Sequence, residues 1–117
     1  MMIEVMSPQL EQEQFTAYMK TLDYETITTF WADFAIAEAF GVESVKDTFE
    51  RCMEEWKSDI KFMTELVLVL NHRSWYKYDN GEETLSRLYA DLYYKADAYV
   101  NSHFSGEDFE YYFNITD

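Results

Sequence analysis

Glycine, proline and cysteine are scarce in this 117-residue chain, at three, one and one. So few turn-forming residues argue against a many-stranded β fold. The lone Cys52 cannot close an intramolecular disulfide, which fits a reducing compartment. Gly41, Gly81 and Gly106 lie too far apart for a Gly-x-Gly phosphate loop or a Walker motif. An EF-hand needs Gly at its sixth position, and loops set by these glycines would begin at Ile36, Tyr76 or Asn101, none of them Asp. Long apolar runs are missing as well. The longest covers residues 66–70, far short of the roughly 20 needed to span a bilayer. Residues 1–6 lack the basic start and apolar stretch of a signal peptide, so a soluble cytoplasmic protein is expected. Basic residues are outnumbered, 9 Lys and Arg against 23 Asp and Glu, for a net charge of −14. Nucleic acids and anionic membranes would be repelled, and neither is expected as a direct partner.

Metal and nucleophile chemistry is equally thin. A di-iron Glu-x-x-His signature would need Glu at 69 and 100, and both are Val. His-Glu-x-x-His is absent, and one Cys cannot build a structural zinc site. His72 follows the most apolar stretch and reads as a buried, hydrogen-bonded histidine; His103, near a helix end, reads as a partner for terminal carbonyls. Ser44 lacks the second Gly of a nucleophile elbow, and Cys52 lies on an apolar helical stripe as a small hydrophobe would. With 23 acids some carboxylates must be neighbours, so no chosen pair singles out glycosidase-type chemistry. No catalytic residue, metal site or cofactor is assigned, and the chain reads as a non-enzyme.

What is abundant is aromatic: three Trp, ten Tyr and nine Phe, too much apolar surface for a disordered chain. The apolar spacing is helical throughout. Ser7-Pro8 signals a first helix with Phe15, Tyr18, Met19 and Leu22 on one face. Asp23 can cap a second, carrying Ile27, Phe30, Trp31 and Phe34 and stopping at Gly41 in a left-handed C-terminal cap. A third spans about residues 43–57, with Val45, Phe49, Cys52, Met53 and Trp56 inward. Ser58 or Asp59 can cap a fourth over 59–78, although the pattern also permits one continuous helix. That fourth helix is apolar on all sides at its middle, as a central helix should be. Asp79-Asn80-Gly81 marks a turn, and a fifth helix over 82–102 turns Leu85, Leu88, Tyr89, Leu92, Ala96, Tyr99 and Val100 to the core. Ser105 with Asp108 resembles a capping box for a short last helix carrying Phe109, Tyr112 and Phe113. The expectation is one all-α domain over 1–117, a bundle of about five main helices plus a short C-terminal one.

Charge is distributed in blocks. Residues 1–43 and 79–117 each carry −7, while residues 44–78 are neutral. Tyrosine is in surplus beside the second acidic block. Tyr76, Tyr94 and Tyr111 are therefore expected to be exposed, and with Asp91, Asp97, Glu107, Asp108 and Glu110 they form the candidate interaction surface. Aromatic platforms for single-stranded nucleic acid carry interleaved Lys and Arg, whereas acids intervene here.

Several stretches carry a likeness: Val45-Lys46-Asp47-Thr48-Phe49-Glu50-Arg51, Glu55-Trp56-Lys57, Thr64-Glu65-Leu66-Val67 and Leu70-Asn71-His72. With Leu88-Tyr89-Ala90-Asp91-Leu92-Tyr93 and the ending Phe113-Asn114-Ile115-Thr116-Asp117, the chain resembles a group of small helical proteins encoded on conjugative and other mobile elements of gut bacteria. The likeness covers about residues 20–117 and rests on packing residues. It implies a genomic setting and no chemistry. The functional expectation is a non-catalytic acidic module that binds a basic protein partner, in its narrowest form an inhibitor imitating DNA. A homodimer or other structural role, or a small carboxylate-based enzyme with His72, are the alternatives.

Overall fold

In the computed structural model, residues 24–116 are described, with side chains from Thr29 onward. The expected first helix and the Asp23 cap lie outside them. The described chain is all-α, with five helices: α1 (Tyr24–Ala39), α2 (Val42–Trp56), α3 (Ile60–Asp79), α4 (Glu83–His103) and α5 (Gly106–Thr116). None is long and apolar enough to cross a membrane.

Local chemistry sets each break. Gly41 has φ 107° and ψ 177°, an extended positive-φ conformation that side chains avoid. It is not the left-handed C-cap expected from the sequence; it serves instead as the N-cap residue of α2, so α1 and α2 are joined by only two residues. Between α2 and α3 the continuous-helix alternative fails at Asp59, whose backbone is extended and whose carboxylate accepts from Lys61 N–H (2.9 Å) and Phe62 N–H (3.3 Å). Two otherwise orphaned donors of the first turn are thereby satisfied. The third break follows the Asn80-Gly81 signal: Asn80 Nδ2 donates to the Tyr76 carbonyl at 2.7 Å, and Gly81 takes φ 76°.

α3 is the central element and packs against all four other described helices. Residues 63–70 are buried without interruption, the apolar run Leu66–Leu70 together with Met63 and the polar Thr64 and Glu65. α4 covers α3 along its length, joined by a reciprocal clasp in which the Ser74 and Ser86 hydroxyls each donate to the other's carbonyl at 2.8 Å. α1 contributes Phe30, Phe34 and Ala37 to the shared core, α2 Val45, Phe49 and Cys52, and α5 Tyr112. Removing the α2–α3 cap should be measurable in isolation. Asp59→Ala is expected to lower unfolding free energy by about 1 kcal/mol in urea denaturation, with an unchanged urea dependence.

Candidate interaction surface

The largest electrostatic feature is one that no local pattern announces. Glu38 on α1 reaches Arg73 and Lys77, one turn apart on α3, and its carboxylate also accepts from the Tyr89 hydroxyl on α4. Lys77 bonds Glu82 Oε2 as well, at 3.0 Å. Arg73 is 2% exposed, and its guanidinium lies 4.7 Å from the Trp31 ring centre and 5.3 Å from that of Tyr89. Its Nε is buried with no hydrogen-bond acceptor, so the flanking aromatic faces supply part of the compensation. Burial pushes the Glu38 carboxyl up, but hydrogen bonds from Lys77, Tyr89 and Arg73, with the Arg73 charge, outweigh it and hold the pKa below the ordinary 4.5. Burial depresses Lys77, and its bonds to Glu38 and Glu82 more than reverse this, leaving it raised. With three donors on one carboxylate, the cluster is a tether between α1, α3 and α4.

Burial pushes His72 down to about 4, so it is neutral at pH 7. His103 Nδ1 lies 3.0 Å from the Tyr99 carbonyl, the carbonyl contact expected from its place near a helix end. Cys52 is buried and pushed up to about 11 by that burial, with Asp33 and Glu55 adding to the rise against Arg51. Among the described residues no group of three His, Cys, Asp or Glu is placed to hold a metal ion.

The residues nominated from the sequence differ in exposure. Tyr94 is 66% exposed, and Asp91, Glu107, Asp108 and Glu110 are exposed too. Tyr76 is not: it is half-buried edge-on to Trp31, with Arg73 and Lys77 over its ring. Tyr111 is also half-buried, and Asp97 is half-buried and accepts from the Tyr112 hydroxyl at 2.5 Å. The exposure expected of Tyr76 and Tyr111 is not found, because a surplus of Tyr says nothing about which side chains the fold covers. Asp91 and Tyr94 share their groove with Lys46 and Lys95, so the acidic character there is diluted.

A better-defined surface runs between α1 and α2. Two concavities of about 420 and 370 Å³ share Asp33 and Arg51 and so adjoin along the α1–α2 seam as a trough. At one end Trp56 and Phe62 stack, centres 4.1 Å apart and 20° from parallel. At the other, Ile36 and Phe40 line the trough while 61% and 78% exposed, with exposed Val42 beyond the connection. Asp33 and Glu55 both line the larger of these two concavities, and His72 is not among its lining residues. The available sequence signal was Ile36 and Phe40, one turn apart and off the Phe30–Phe34 core stripe.

Comparison with protein-family models, curated proteins and solved structures finds no match to this chain.

The tether gives a signed pH dependence. Glu38 stabilises fully above its unfolded value and loses that contribution as pH falls through its lowered folded value. His72 adds acid lability at milder pH, because the unfolded chain takes its proton below about 6.5 and the folded one only near 4. The thermal midpoint should therefore fall from pH 6.5 to 4 and more steeply below 4.5, and His72→Gln should flatten the first part. Glu38→Ala, which strands Arg73 in the interior, is expected to cost about 3–5 kcal/mol in denaturant melts. Cys52 should resist a thiol reagent at pH 8 in the native protein and react at once in denaturant; rapid native labelling would contradict its burial.

Proposed function

We propose that the chain is a non-catalytic protein-interaction module whose contact surface is the trough between α1 and α2 and whose partner is basic. The observation that carries this reading is the joint exposure of Ile36, Phe40 and Val42 around the α1–α2 connection, where Ile36 and Phe40 also line the trough. Contiguous exposed apolar side chains rimmed by charge are what a binding surface looks like on a soluble domain. The net charge of −14 supports a basic partner and disfavours self-association of equally acidic copies. The resemblance to mobile-element proteins is consistent with a factor that engages a host protein.

Imitation of DNA is a narrower version with one observation in its favour. Glu43, Asp47, Glu50 and Glu54 are all exposed, and their three- and four-residue spacing aligns them on one face of α2. Four carboxylates over about 17 Å place one charge per about 5.5 Å, about 60% of the density of one DNA strand at about one phosphate per 3.4 Å. Lys46 and Lys57 lie beside the row and weaken the imitation.

The test is affinity capture from the native host at low and high salt, with wild type beside Ile36→Ser/Phe40→Ser. Both positions are exposed, so the double variant should keep its thermal midpoint within a few degrees. The expected result is a basic protein recovered by wild type and lost with the variant. Equal recovery by both proteins, or an empty capture at both salt levels, overturns the proposal. DNA imitation additionally requires that duplex DNA displace the chain and that binding fall steeply with salt.

A further inference from the structure

The trough has a shape that selects its occupant. On α1, Thr29, Asp33 and Ile36 recur at four and three residues along one helix face, and Phe40, the first residue of the connection, continues the line. On α2, Ser44, Thr48, Cys52 and Trp56 recur every four residues and form the facing stripe. The two-residue connection makes α1 and α2 an αα-hairpin, so the stripes are the two walls of one channel. From Ser44 to Trp56 the channel is about 18 Å long, the length of a twelve-residue helix. Apolar anchor points stand at both ends, Ile36 and Phe40 at one and the stacked Trp56–Phe62 wall at the other.

We infer that the trough receives one amphipathic helix with a basic flank, supplied by the partner protein. This rests on the reading of the chain as an interaction module and specifies what it binds. A groove between two helices is filled by ridges of a third at about 8–10 Å, and apolar anchors one to three turns apart would meet its two ends. An extended peptide has nothing to pair with, because no strand edge exists among the described residues. Charge sets the sign of the flank. Asp33, Asp47 and Glu55 line the trough against the single Arg51. Lys and Arg on the incoming helix would find carboxylates there, and both a second copy of this chain and its own residues 1–23, four acids to one base, carry the wrong sign.

The experiment titrates the full ¹⁵N-labelled chain with an amphipathic Leu–Lys peptide of about 18 residues, long enough to be helical. A peptide of identical composition with scrambled order, and a Leu–Glu analogue, serve as controls at about 150 mM salt. The expected result is a set of shifts centred on Ile36, Phe40, Cys52 and the Trp56 indole N–H. The scrambled peptide should bind about tenfold more weakly, and Leu–Glu should not bind. Ile36→Ser/Phe40→Ser should weaken the Leu–Lys peptide about tenfold, and Asp33→Asn/Glu55→Gln by severalfold, with thermal midpoints checking that each variant folds. Equal affinity for the scrambled peptide, shifts centred on α4 and α5, binding of Leu–Glu, or no binding each overturn the inference. If host capture still depends on Ile36 and Phe40 while the peptide fails, the module reading stands and the helix-in-trough assignment falls.

Discussion

The carboxylate of Glu38 is the constraint on which the arrangement of helices depends. A lone carboxylate with two cations in a low-dielectric interior would be ruinous singly and is tolerable only together. Arg73 and Lys77 sit at the polar end of α3, immediately after its apolar middle, where α1 and α4 both approach. Because one carboxylate must satisfy both cations and the Tyr89 hydroxyl, the position of α1 against the α3–α4 hairpin is set by directional bonds as well as by apolar packing. Trp31 and Tyr89 close over the guanidinium and convert a costly burial into cation–π contact.

The trough is a geometric consequence. The core stripe of α1 is Phe30, Phe34 and Ala37. At 100° per residue, Glu38 leaves the helix on one side of that stripe, and Asp33, Ile36 and Phe40 leave on the other. Once Glu38 is drawn toward α3 and α4, the Ile36–Phe40 side must face outward along α2. The same rotation that satisfies the buried charges therefore presents the apolar corner to solvent. Gly41 contributes the sharp return that brings α2 alongside, in a backbone conformation costly to a side chain.

Much of the fold was legible in residue order. The spacing of Val45, Phe49 and Cys52, and of Leu88, Leu92, Ala96 and Val100, identified buried faces, because helix geometry is local and its period is written in the chain. The Asn80-Gly81 turn was equally visible, and Asp59 was recognisable as a cap although not as the one that acts. The candidate site was far less legible. Tyr76 and Tyr111 were nominated for exposure by tyrosine surplus, yet both are half-buried, Tyr76 edge-on against Trp31 of α1.

By itself, then, the sequence determined an acidic, aromatic-rich, all-α chain with α3 at its centre, since propensity, capping and periodicity act within a few residues. Tertiary structure alone decided that Glu38 meets partners 35 and 51 residues away, and that Ile36 and Phe40 remain uncovered. Those outcomes depend on how helices rotate against one another to satisfy buried charge. That balance involves all three of α1, α3 and α4, and no single helix carries it in its own pattern.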